Sequence, residues 1–127
     1  MKIVITGALG HVGSRLIREI PTAFPEAEII LMDDLSTQRY CSLFDLPPQG
    51  HYRFVEADVL TADLPSIVAG ADVVVHLAAI TDAAGSIEMR DRVERVNLIG
   101  TELVAQACLQ AGCAMIFIST TLSLIHI

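Results

Sequence analysis

The chain has 127 residues, of which 53% are hydrophobic and 18% charged, and 8 Lys+Arg against 15 Asp+Glu leave a net charge of −7. That length fits one domain of ordinary size, and that apolar share excludes a disordered acidic chain. The balance has the wrong sign for phosphate-backbone binding, and Arg90, Arg92 and Arg95 are interleaved with acids, so no nucleic-acid partner is expected.

Lys2–Thr6 is a short β-branched apolar run that breaks at Gly7, which reads as a first strand and is too short for a signal-peptide core. His11–Ile20 places Val12, Leu16, Ile17 and Ile20 at helical spacing, with Pro21 just beyond its end. Glu28–Met32 and Tyr52–Val55 predict a second and a third strand, and Pro47, Pro48 and Gly50 mark a loop between them. Leu64–Ala69 predicts a short helical turn with Pro65 early in it and Gly70 as its stop. Asp72–Leu77 predicts a fourth strand. Glu88–Ala111 predicts a long helix through Val93, Val96, Gly100, Leu103, Val104 and Ala107, closed by Gly112, and Cys113–Ile118 predicts a fifth strand. Continuous apolar strands alternating with helices imply an α/β fold with a doubly wound parallel sheet.

The sequence stops within nine residues of Ile118, where a covering helix should follow, so the sheet is expected to be truncated after the fifth strand and the chain to be the N-terminal part of a longer protein. Leu122–Ile127 resembles one reading frame of a sequencing-library adapter, so an incomplete domain over 1–121 and a non-native tail over 122–127 are expected, the alternative being a native apolar C-terminal strand. Cys41, Cys108 and Cys113 offer neither a C-x-x-C pair nor zinc-knuckle spacing, so reduced thiols, two of them half-buried, are expected, with no metal. No apolar stretch approaches the roughly 18 residues of a membrane span. A cytoplasmic protein without a membrane partner is expected.

The segment from Thr6 to Gly13 joins the first strand to the first helix as T-G-x-x-G-x-x-G. Gly7 permits a tight turn, Gly10 lets backbone N–H groups approach a pyrophosphate, and Gly13 lets the helix pack closely on the strand. The helix N-terminus adds free N–H donors and the positive end of its dipole, so Leu9, His11 and Val12 join the glycines as candidate cofactor-binding positions. Asp33 stands twenty residues beyond Gly13, at the end of the second strand, where a carboxylate accepts from an adenosine ribose; Asp34 is adjacent. An acid there favours NAD and repels the 2′-phosphate of NADP. The nearest following cation is Arg39.

In this form the loop resembles that of extended short-chain dehydrogenases/reductases, the NAD-dependent epimerase/dehydratase family, and the resemblance runs from Met1 to about Thr121. Asp33-Asp34-Leu35-Ser36 is similar to the family's D-N-L-S turn, and Ala57-Asp58-Val59 to its acidic dipeptide at the adenine. His76-Leu77-Ala78-Ala79 resembles the H-x-A-A segment along the ribose and pyrophosphate, and Asn97-Leu98-Ile99-Gly100-Thr101 the N-x-x-G-T pattern of the fourth helix.

The resemblance implies a Rossmann-type fold, NAD as cofactor, and Asp58, Val59, Leu77, Ala78, Ala79 and Asn97 as cofactor-side residues. His76 reads equally well as a core histidine, Asp58 also as a turn cap, Asn97 also as a structural bond. Gly100 is expected to let the helix approach the sheet, and Thr101 to pack. By the same resemblance Thr120 is the hydroxyl that steers the reacting substrate, with Thr121 second.

The family's Y-x-x-x-K is absent: Tyr40 and Tyr52 are the only tyrosines and Lys2 the only lysine, so the chain alone is expected to be inactive. The implied function is the NAD-binding part of an epimerase/dehydratase-type oxidoreductase acting on a nucleotide sugar or another small carbonyl or hydroxyl substrate. Family members usually pair through the fourth helix and the helix after the fifth strand, which implies a homodimer for the full-length protein. A non-catalytic dinucleotide-binding regulator and a reductase of a non-sugar carbonyl are the alternatives.

Overall fold

A computed structural model describes residues 1–36, 38–79 and 87–118, with backbone alone for 87–89. Thr120, Thr121 and the 122–127 tail lie outside the described residues. Five parallel strands, β1 (Lys2–Thr6), β2 (Glu28–Asp33), β3 (His51–Glu56), β4 (Val73–His76) and β5 (Ala114–Phe117), form one sheet in the order β3-β2-β1-β4-β5. Helices α1 (His11–Ala23), α2 (Leu64–Val68), α3 (Ile87–Glu94) and α4 (Thr101–Ala111) connect them, with a 3₁₀ turn at Tyr40–Leu43. This is the doubly wound parallel fold that the alternation of apolar strands and helices predicts. The chain lays β1, β2 and β3 outward in one direction, then returns to lay β4 and β5 on the other side of β1. Ligands of open α/β sheets bind above the carboxyl ends of the strands at such a reversal.

Period-two alternation divides the core. Val4, Ile30, Met32 and Val74 face one side, where Leu64 and Val68 of α2 and Val104, Ala107 and Cys108 of α4 cover them. Ile3, Ile5, Ile29, Leu31 and Val75 face the other, under Ile17 and Ile20 of α1. Both faces are buried, so the strands read as unbroken apolar runs.

Helix α1 runs through Pro21 to Ala23 instead of stopping before it, and Val12, expected on its apolar face, is exposed. An interior proline has no N–H for the carbonyl four residues earlier, here that of Ile17. The Tyr52 hydroxyl, carried by β3, donates to that carbonyl instead. A partner supplied from another element thus removes part of the usual penalty.

The long helix predicted over Glu88–Ala111 divides into α3, one widened π-type turn at Arg95–Gly100, and α4. Gly100 lies in that turn. A Cβ there would stand 2.9 Å from Cγ2 of Val59, so the glycine lets the helix approach the turn after β3 rather than a strand. Helix α4 ends as predicted at Gly112, whose φ is 70°, with the Cys113 N–H returning to the Cys108 carbonyl at 3.0 Å. The thiols differ from expectation. Cys108 is buried, Cys113 half-buried and Cys41 exposed. Burial, then the neighbouring Cys113, pushes the Cys108 thiol up to about 12.

Candidate functional site

A cleft open to solvent lies above the carboxyl ends of β1 to β4, where ligands of open α/β sheets bind. It brings together Gly7, Gly10, Asp33, Asp34, Asp58, Val59, Leu77, Ala78 and Ala79, residues named from sequence, and adds Met32, Ser36, Ala57, Arg92 and Val96. Five sequence candidates do not line it. Leu9 is buried beneath the loop, Gly13 is buried in α1, and His11 and Val12 are exposed in its first turn. Asn97 is half-buried in the widened turn, its carbonyl accepting from the Thr101 hydroxyl at 2.7 Å.

The glycine loop is clamped at Leu9. Its N–H donates to Asp33 Oδ2 at 3.0 Å, and its carbonyl accepts from Arg39 Nε at 3.1 Å and the Ser42 hydroxyl at 2.8 Å. Arg39 Nη1 also lies 3.2 Å from His11 Nε2. Gly10 caps α1 with no side-chain hydrogen bond, and no acid sits in the helix's own first turn.

The three acids on the cleft each cap a turn. Asp33 Oδ1 accepts from the Leu35 N–H at 2.9 Å, which holds Leu35 at a φ of 61°. Asp34 Oδ1 accepts from the Ser36 N–H, and Asp58 Oδ1 from the Leu60 N–H, each at 2.9 Å. Asp58 therefore caps the next turn and borders the cleft at once.

His76 belongs to a buried relay that the motif reading left open. The Thr101 hydroxyl spends its proton on the Asn97 carbonyl, so it must accept from His76 Nε2 at 3.1 Å. Nδ1 then carries the lone pair and accepts from the Thr6 hydroxyl at 2.7 Å. Thr6 Oγ1 in turn accepts the N–H groups of Leu77 and Ala78, at 3.1 and 3.2 Å. The relay ties β1, β4 and α4 together and orients two main-chain groups at the cleft wall. Thr101, expected to pack, is a member of it.

Burial holds the His76 pKa below its ordinary 6.5. As pH falls through about 6.5 the unfolded chain takes a proton that folded His76 refuses, so stability falls with acidification across the window down to the folded pKa. Wild type should lose up to about 1.4 kcal/mol per pH unit there. A His76→Gln variant should be less stable at pH 7.5 yet flatter below 6.5, as urea unfolding at several pH values will show. Equal slopes would place the proton uptake elsewhere.

Among the described residues no helix is long and apolar enough to cross a membrane, and no group of three or more His, Cys, Asp or Glu is placed to hold a metal.

The model of the 3-beta hydroxysteroid dehydrogenase/isomerase family matches residues 4–126, and the chain belongs to that family. A UDP-glucose 4-epimerase of Mycolicibacterium smegmatis is 32% identical over 114 residues, 88% of this chain and 36% of the relative. A trifunctional UDP-glucose 4,6-dehydratase/UDP-4-keto-6-deoxy-D-glucose 3,5-epimerase/UDP-4-keto-L-rhamnose-reductase of Arabidopsis thaliana is 32% identical over 117 residues, 87% of this chain and 17% of the relative. The crystal structure of a UDP-glucuronic acid 4-epimerase from Bacillus cereus in complex with NAD superposes with a TM-score of 0.81 at 27% identity, over 95% of this chain and 40% of that one. The resemblance to epimerases and dehydratases read from the motifs is met by these matches, and the chain spans 17% to 40% of these relatives' lengths.

Proposed function

We propose that the chain is the NAD-binding part of an epimerase/dehydratase-type oxidoreductase whose whole form acts on a nucleotide sugar. The observation that carries this is Gly10. A Cβ there would meet nothing nearer than the Gly7 carbonyl at 3.5 Å, at an ordinary φ of −71°, so the protein itself does not require a glycine. A ligand phosphate lying against the backbone does. On this reading Gly7, Leu9, Gly10, His11, Val12 and Gly13 build the pyrophosphate cradle. Asp33 and Asp34 serve the ribose, and Asp58 and Val59 the adenine. Leu77, Ala78 and Ala79 form the opposite wall, and Asn97 supports it. Thr120 steers the substrate hydroxyl. NAD, when bound, supplies the hydride acceptor.

The chain itself binds without turning over. The Tyr52 hydroxyl is committed to the Ile17 carbonyl, and burial raises its pKa. Lys2 sits at the opposite end of β1, donating to the Ala69 carbonyl at 2.8 Å. Neither Tyr40 nor Tyr52 lines the cleft. Calorimetric titration of the purified chain, its fold checked by circular dichroism, should give one NAD site and no conversion of UDP-glucose. A folded chain that ignores NAD overturns the binding role, and measurable turnover overturns the inactivity.

The matched family's description favours a second reading, an oxidoreductase of hydroxysteroids. Assay of the whole protein with UDP-sugars and with 3β-hydroxysteroids separates the two.

A further inference from the structure

We propose that Arg92 is a specificity-determining residue of this cleft: its guanidinium supplies the positive charge at the adenosine end and sets how far the site tolerates a 2′-phosphate. The inference rests on the dinucleotide reading and adds a residue to it. Asp33, Asp34 and Asp58 all border the cleft, and among its described lining residues Arg92 is the one cation. An anionic dinucleotide entering a groove with three carboxylates meets repulsion that a guanidinium at the same wall offsets.

The duller explanations for Arg92 fail on geometry. Its Nη2 lies 3.9 Å from Asp34 Oδ2, the outer limit of an ion pair, with the two side chains 47% and 32% exposed. Such a pair contributes little to stability. Arg92 stands in the last turn of α3, but the helical backbone continues through the widened turn into α4, so no free carbonyl end needs a cation there. Placed between Asp34 and a second hollow that it shares with Asp58, Leu60, Thr61, Asp91 and Arg95, the guanidinium has donors left for a ligand. It also lies beside Asp34, so without it that carboxylate loses its nearest cation at the ribose end of the cleft.

The test titrates wild type, Arg92→Gln and Arg92→Lys with NAD, NADP and ADP-ribose by calorimetry, at two salt concentrations. Arg92→Gln should weaken NAD and ADP-ribose alike, about tenfold, and should raise the ratio of the NADP to the NAD dissociation constant at least another tenfold. Its binding should also lose part of its salt dependence. Arg92→Lys, which keeps the charge, should stay within about threefold of wild type, and both variants should melt as wild type does. Arg92→Gln binding NAD and NADP within twofold of wild type overturns the proposal, as does an equal loss for both that leaves the ratio unchanged. Wild type binding none of the three ligands would instead overturn the dinucleotide reading itself, and this inference with it.

Discussion

Gly13→Ala is expected to lower the melting temperature by up to about 10 °C, while Gly10→Ala leaves the fold intact and weakens NAD binding at least tenfold. The two glycines occupy one loop, yet the structure constrains them oppositely. Alanine at Gly13 would favour the helix by about 1 kcal/mol. The added Cβ, however, would stand 2.6 Å from the Ala8 carbonyl oxygen and 2.7 Å from that of Gly7, both backbone atoms that cannot swing aside. Overpacking of that kind costs about 1–3 kcal/mol and sometimes more, so the clash decides the sign. Gly7→Ala fails for two reasons. Its φ is 66°, and its Cβ would meet the Ala78 nitrogen and the Leu77 carbonyl carbon at 2.7 Å. At Gly10 the nearest atom is 3.5 Å away, so stability should move by no more than about 0.5 kcal/mol. The Cβ then occupies space the pyrophosphate needs, and NAD affinity should fall at least tenfold. Thermal melts paired with NAD titrations of the three variants check this. A stable Gly13→Ala variant, or a Gly10→Ala variant that binds NAD normally, would contradict the division of labour.

That loop was legible in the sequence because its requirements are local: a strand, a turn, and a helix within thirteen residues. The strands were legible for the same reason, since burial on both faces makes each one an apolar run. What the sequence concealed depends on partners distant along the chain. Nothing near Pro21 announces that Tyr52 will satisfy the Ile17 carbonyl and let α1 continue. Thr6 reads as the last residue of a strand, and its tie to His76, 70 residues on, appears only when β1 and β4 pair. His76 was undecidable between core and site, and it is a core residue whose bonds shape the site wall. Arg92 gave no signal at all, because interleaved acids and bases on a helix look like any solvated face. The widened turn before α4 was equally silent, as an extra residue in a turn leaves the spacing of apolar residues almost unchanged.

Asp33 carries the last prediction, and the structure enlarges it. We expect Asp33→Ala to weaken NAD binding tenfold to a hundredfold, on about 1.4 kcal/mol per decade, and also to destabilise the chain. Position at the end of β2 argues for the binding role, since a carboxylate there accepts from ribose hydroxyls through charge-assisted bonds. The destabilisation follows from its other duties. Asp33 already accepts the N–H of Leu9, whose side chain is buried, and the N–H of Leu35 in its left-handed turn. Alanine strands both donors, and a buried donor left unmet costs about 1–3 kcal/mol. A change in affinity alone would therefore confuse a lost ligand contact with a loosened loop, and Asp33→Asn separates them. Its one oxygen can keep the Leu9 bond, so the loop should hold better than in the alanine variant. The charge that repels a 2′-phosphate is gone, so the ratio of NADP to NAD dissociation constants should drop about tenfold. Parallel urea unfolding and calorimetry supply both readouts. If Asp34→Ala relaxes that ratio and Asp33→Asn does not, the carboxylate that reads the ribose is Asp34, and the bonds of Asp33 to Leu9 and Leu35 are its whole function.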